Sequence, residues 1–187
     1  MTSGFYFYSP ELEKNIAILY NIQEKAISLE KILFLNEITL PQFISDINFK
    51  LEKGNNVKNP SLLKLVNLIK SYLSGKIINL CQETKNLGVN FDYKKTFKTE
   101  FAQEVIKELL KVQYGTTISY SDLAARINSK AYRAVGSTMR RNPYPLLIPC
   151  HRVINKSGEV GGFMGSKKAT LGVKTKKRLL HIEKILF

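Results

Sequence analysis

The chain has 187 residues, 44% of them hydrophobic, with 29 Lys+Arg against 15 Asp+Glu and a formal net charge of +14. That length holds one domain or two small ones at about 100–200 residues each, and the composition affords a packed core and excludes wholesale disorder. No apolar run approaches the ~20 residues that span a bilayer, the start has neither a basic n-region nor an apolar h-region, and two cysteines, Cys81 and Cys150, make no disulfide framework. The expectation is a soluble intracellular protein with reduced thiols and no membrane partner.

The charge is uneven. Residues 1–95 hold 12 Lys+Arg and 9 Asp+Glu, a net of +3; residues 96–187 hold 17 and 6, a net of +11. Such asymmetry points to a polyanion partner for the second half, with a generally basic soluble protein as the competing reading.

In chain order, residues 4–8 (Gly-Phe-Tyr-Phe-Tyr) are strand formers punctuated by Ser9-Pro10, and 16–20 and 26–35 are apolar and β-branched enough for two more strands. Residues 61–73 predict a helix with Ser61 as cap, Leu62, Val66, Ile69 and Leu73 on one face, and Gly75 as its stop. The polar, mixed segment 84–98 predicts a linker between domains. Residues 99–113 predict a helix capped by Thr99, with a stripe of Phe101, Val105, Ile106, Leu109 and Leu110, ended by Gly115. A short helix over 119–127, a polar turn at 128–130 and a basic helix over 131–141 follow, stopped by Asn142-Pro143. Two short helices with a tight turn and a basic second helix form a helix-turn-helix pattern, which any three-helix bundle also satisfies.

Three prolines within Pro143–Pro149 stiffen the segment that delivers Cys150 beside His151. A free thiol is mostly protonated at neutral pH, and a neighbouring imidazole or a basic environment makes the reactive thiolate. A lone cysteine is otherwise a small buried hydrophobe, the reading taken for Cys81. Two Cys and two His without Cys-x-x-Cys spacing give no support for a metal.

The string Pro149-Cys150-His151-Arg152-Val153 resembles the active-site signature of the O6-alkylguanine-DNA alkyltransferases, also called methylated-DNA–protein-cysteine methyltransferases. Ile118-Ser119-Tyr120-x-x-Leu123-Ala124, Arg133-Ala134-Val135-Gly136, Asn142-Pro143 and Lys176-x-x-Leu179-Leu180-x-x-Glu183 fall in family order. The resemblance covers about residues 96–185 and is faint before them. It implies an α/β domain of RNase-H-like arrangement over 1–90, in a supporting role. Over 95–187 it implies a mainly α winged helix-turn-helix that binds DNA and accepts the alkyl group.

The resemblance also implies roles. Cys150 takes the alkyl group from guanine O6, His151 acts as base on the thiol through a water, and Glu183 orients His151. Tyr120 donates to N3 of the flipped guanine, whose charge develops as it leaves. Asn142 ties the basic helix to the reactive segment. Arg133 fills the gap left by the extruded base, while Ala134, Gly136 and Ser137 allow close approach to phosphate in the minor groove. Arg140 and Arg141 are phosphate contacts or solvated charge. Val153, Gly161, Gly162, Phe163 and Met164 line the substrate pocket. For the residues alone, bland readings stand beside these: a solvated helix-end carboxylate for Glu183, a half-buried core ring for Tyr120 and a helix stop for Asn142-Pro143.

Two departures from the family pattern stand out. Phe163-Met164 replaces a usual Tyr and small residue, and several extra residues, Lys167 and Lys168 among them, lengthen the loop before Gly172. The implied partner is double-stranded DNA containing O6-alkylguanine, met by a monomer, and the chemistry requires no cofactor. The competing functions are a DNA-binding lesion sensor or transcriptional regulator without transfer and, more remotely, a cysteine-dependent hydrolase.

Overall fold

The computed structural model describes residues 2–24, 26–49, 51–163 and 171–186. The chain divides into two compact units, Met1–Asp92 and Tyr93–Phe187.

The first unit is built on a mixed sheet. β1 (Thr2–Ser9), β2 (Lys14–Gln23) and β3 (Ala26–Leu35) run as an antiparallel meander, with Phe5 opposite Ile18 and Phe7 opposite Ile16. α1 (Thr39–Asp46) and β4 (Leu51–Lys53) follow, then α2 (Pro60–Leu73), α3 (Leu80–Asn86) and β5 (Val89–Phe91). The strand order is β4-β1-β2-β3-β5, with both edge strands parallel to their neighbours. Phe5, Ile16, Ile18 and Ile32 from the sheet are fully buried, as are Leu62, Leu65 and Ile69 on one face of α2. Burial of such side chains, worth about 1.5–3 kcal/mol each, is what holds this unit together.

Two expectations need correction here. Asn59, not Ser61, caps α2: its side chain accepts from the N–H groups of Ser61 (3.0 Å) and Leu62 (3.2 Å), and Pro60 takes the first helical position, where its missing N–H costs nothing. The segment 84–98 does contain the division between the units, after Asp92, but most of it is regular structure rather than a linker. Asn79 caps α3 through the Gln82 N–H, Gly88 turns the chain at φ +71°, and β5 pairs with Ile27–Leu29 of β3. Val89 and Phe91 point into the core while Asn90 faces out. The polar residues that suggested a linker are the exposed faces of these short elements.

The second unit is mainly helical. After α4 (Tyr93–Thr96), α5 (Glu100–Leu109) starts at Thr99, whose hydroxyl accepts from the Ala102 N–H. It buries Ala102, Val105, Ile106 and Leu109. It ends earlier than the stripe predicts, because Lys111 and Val112 tighten to hydrogen bonds three residues back, on Glu108 and Leu109. β6 (Ile118–Ser119) leads into α6 (Tyr120–Ala125), where Ser119 accepts from the Asp122 N–H. Asn128 turns the chain at φ +53° toward α7 (Tyr132–Arg140). Beyond the proline-rich segment, Cys150–Arg152 form one 3-10 turn, β7 (Val153–Ile154) pairs parallel with β6, and α8 (Leu171–Ile182) closes the chain. Among the described residues no helix is long and apolar enough to cross a membrane.

Candidate active site

The reactive segment is bent into place by its own sequence. Leu146 sits at φ +75°, left-handed backbone that costs a residue with a Cβ on the order of 1–2 kcal/mol. Pro145 before it fixes the approach, Ile148 N–H closes the bend on Tyr144 C=O at 2.9 Å, and burial of Tyr144, Leu147 and Ile148 holds the strained turn.

Asn142 is the clamp of this bend. Its amide donates to Ile148 C=O at 2.9 Å and to Cys150 Sγ at 3.1 Å, while its carbonyl accepts from the Tyr144 N–H at 2.9 Å. One buried side chain thus fixes the end of α7, the turn and the sulfur together. Cys150 is 3% exposed. Burial pushes its thiol up from the ordinary value, and the Asn142 donor and the Lys176 ammonium push it back toward the thiolate.

Two groups of opposite tendency flank the sulfur. Tyr120, at the start of α6, is half-buried, and its phenol is pushed up to about 12 by burial and then by the nearby Cys150 charge. It remains a hydrogen-bond donor throughout the physiological range. Lys176 on α8 is fully buried, with Nζ donating to Val153 C=O at 2.5 Å and lying 5.7 Å from the centre of the Tyr120 ring. Burial pulls its ammonium down to about 8, against the attraction of Cys150. A positive charge this close to the sulfur favours the anion.

His151, next in the chain, joins a second buried cluster. Its Nε2 meets Glu183 Oε1 at 3.0 Å. Arg152 approaches the same carboxylate, with Nε 3.1 and 3.0 Å from its two oxygens and Nη2 2.8 Å from Oε1. The Gly115 N–H adds a donor at 3.1 Å; Gly115 takes φ +76°, which a side chain would resist. Burial would raise the Glu183 carboxyl, but His151 and Arg152 override it and hold it down to about 2. Glu183 is 1% exposed, so it is not a solvated helix end.

The remaining candidates divide by place. Arg133, Ala134, Ser137 and Arg140 are exposed along α7, Arg141 is exposed just past its end, and Gly136 is half-buried. A Cβ at Gly136 would touch the Tyr120 ring at 3.9 Å, so the basic helix and the phenol are adjacent. Val153 and Phe163 are buried, Gly162 C=O lies 3.5 Å from Lys176 Nζ, and Gly161 turns at φ +66°. Met164, Lys167 and Lys168 lie outside the described residues. Among the described residues no group of three His, Cys, Asp or Glu could hold a metal ion.

Sequence reasoning gave no role to Arg152, Lys176 or Tyr132. Lys176 carried a signal, since it falls on the helical stripe of Leu179, Leu180 and Glu183 and so must enter the core with them. Tyr132, half exposed at the start of α7 beneath the Arg133 guanidinium at 5.9 Å, is an aromatic placed outward on a basic helix.

Comparison with known proteins agrees with this geometry. A family model described as "6-O-methylguanine DNA methyltransferase, DNA binding domain" matches residues 100–185. The methylated-DNA–protein-cysteine methyltransferase of Methanothermobacter thermautotrophicus is 36% identical over 135 residues, 71% of this chain and 68% of that one. Two solved structures share the fold. The O6-methylguanine-DNA methyltransferase of Pyrococcus kodakaraensis has a TM-score of 0.65 at 25% identity, covering 99% of this chain and 100% of that one. The Mycobacterium tuberculosis OGT, solved in complex with DNA, has a TM-score of 0.68 at 24% identity, covering 97% and 92%. With more than a third of positions identical across two thirds of both sequences, the chain belongs to the methylated-DNA–protein-cysteine methyltransferase family.

Proposed function

We propose that this protein repairs DNA by moving an alkyl group from O6 of guanine, in duplex DNA, irreversibly onto Cys150. The observation that carries the reading is the Cys150 sulfur itself, held by the Asn142 amide at 3.1 Å between a buried lysine and a protonated phenol. It sits in the unit that also presents the exposed basic face of α7.

The step balances within the protein and its substrate. The thiol proton leaves through a water to His151, Sγ attacks the alkyl carbon in line, the Sγ–C bond forms and the C–O6 bond breaks. The electron pair goes to guanine. Tyr120, a donor at every working pH, faces the charge that develops there, and a proton returns to the base. The ionised Glu183 accepts from His151 Nε2–H and so leaves the lone pair on Nδ1. No cofactor enters the balance. The thioether product offers no leaving group, so each molecule acts once. With excess duplex carrying O6-methylguanine, repaired lesions should plateau at one per protein molecule; a count that keeps rising would contradict the reading.

Guanine O6 inside the base stack is out of reach of a protein sulfur, so the nucleotide must leave the helix at a cost of a few kcal/mol. On this reading Arg133, exposed at the start of α7, fills the gap. Arg133→Ala should slow repair in duplex by about tenfold, a loss of ~1.4 kcal/mol of that support, while transfer from the free alkylated base stays near wild type. Equal slowing of both substrates would remove the role from Arg133.

The finer architecture follows the same reading. Residues 1–90, with the β1–β3 meander and its helices, serve as an RNase-H-like supporting domain. Residues 95–187 act as a winged helix-turn-helix in which α6 and α7 are the helix pair and β6–β7 contribute to the wing. The protein works as a monomer on O6-alkylguanine, inside the cell, where the free thiols of Cys81 and Cys150 stay reduced. A lesion sensor that binds without transfer would have no use for a sulfur held in this way.

A further inference from the structure

We propose that Arg152 is a positioning residue for the transfer: locked on Glu183, it keeps His151 a neutral base with its lone pair on Nδ1. The inference rests on Cys150 as the alkyl acceptor and assigns what makes the neighbouring histidine usable.

The Glu183 carboxylate has one negative charge and two claimants. Arg152 carries a permanent charge, whereas His151 is charged only when protonated. The guanidinium holds both carboxylate oxygens through Nε and adds Nη2 on Oε1, and its Nη1 donates to Val112 C=O at 2.6 Å. That carbonyl is aimed by the tight turn that ends α5 early. Held at both ends and almost fully buried, the arginine cannot swing away, so the carboxylate is neutralised before His151 takes part. His151 Nε2 still donates to Oε1, which fixes the tautomer.

The charges facing His151 come from three directions. Arg152 and Cys150 share its own turn, Lys176 faces it from α8 and Glu183 from the turn just after α8, and the Tyr114 and Tyr120 hydroxyls flank the cluster. Arg152 and Glu183 cancel and Lys176 remains positive, so an imidazolium would be a second net positive charge in a dry site. Burial pushes the imidazole below its ordinary value, Glu183 pulls it back, and Arg152 and Lys176 push it down again. Without Arg152, Glu183 would be free to hold an imidazolium, and a histidine already protonated at rest cannot take the thiol proton. With Arg152 in place, the proton that His151 does take is readily passed on.

The test is the pH profile of single-turnover transfer from a duplex oligonucleotide containing O6-methylguanine. Arg152→Met should move the acid limb to higher pH by about one unit, a tenfold loss at a fixed pH on that limb, with the plateau at higher pH retained. Arg152→Lys keeps the charge and should bring the limb back. Nitrogen NMR of histidine-labelled wild-type protein, with His181→Gln for assignment, needs neither variant to fold. It should show a neutral His151 with its proton on Nε2 at neutral pH. An acid limb that stays put in Arg152→Met, or an imidazolium signature in the wild type, overturns the proposal. The NMR result is independent of transfer, so a wild-type protein that moves no methyl group sinks the acceptor reading separately.

Discussion

Cys150→Ala should abolish alkyl transfer entirely while duplex affinity stays near wild type. The sulfur is the bond-forming atom, so no neighbouring group can substitute for it. The side chains proposed to face DNA lie on the exposed face of α7 and are untouched by the change. Removing the sulfur leaves the Asn142 amide its hydrogen bond to Ile148 C=O, so the stability cost should be modest, about 1–2 kcal/mol. Cys150→Ser should be inactive too, because an alcohol is far harder to ionise than a thiol. The measurement is methyl loss from duplex in parallel with a binding titration. Residual transfer by Cys150→Ala would place the acceptor elsewhere, and loss of binding would mean that the sulfur holds the DNA surface together.

Glu183→Gln should be the most destabilising single change in the second unit. It leaves Arg152 buried beside a neutral amide, and removing one partner of a buried ion pair typically costs ~3–5 kcal/mol. The same cluster sets an acid limit for the wild type. The carboxyl is held at about 2 in the folded chain, against an ordinary 4.5. A depressed carboxyl contributes stability that is fully present above the ordinary value and is lost as pH falls toward the folded one. Two to three units of displacement amount to about 3 kcal/mol, so the loss should fall between pH ~4.5 and ~2. Urea denaturation at neutral pH and across that window measures both effects. A variant as stable as wild type, with the same acid profile, would show that the caged carboxylate contributes nothing.

The elements that the sequence made legible are those with local punctuation. The Thr99 cap, the polar turn at 128–130 and the Asn142-Pro143 stop bracket helices of the second unit, because each starts or ends a helix with residues nearby in sequence, whereas the Ser119 cap emerged only in the structure. β5 and α3 were illegible because three strand residues, Val89–Phe91, give too short an alternation to separate from a polar linker. α1 was missed because its amphipathic stretch buries no residue fully. At the site, the sequence placed Cys150 and His151 side by side but not what each faces. That information is tertiary: Glu183 reaches His151 across 32 positions, and Arg152 reaches Val112 across 40. A carboxylate in a basic C-terminal segment reads equally well as solvated surface. Only the packing of α8 against the Cys150 turn decides that it is enclosed.

The most direct test is mass analysis of peptides from the wild-type protein after incubation with duplex DNA carrying O6-methylguanine. The peptide containing Cys150 should gain one methyl group in proportion to guanine restored, and no other peptide should change. Guanine restored with the Cys150 peptide unmodified, or a methyl group found on Cys81, would contradict the assignment of this sulfur as the acceptor.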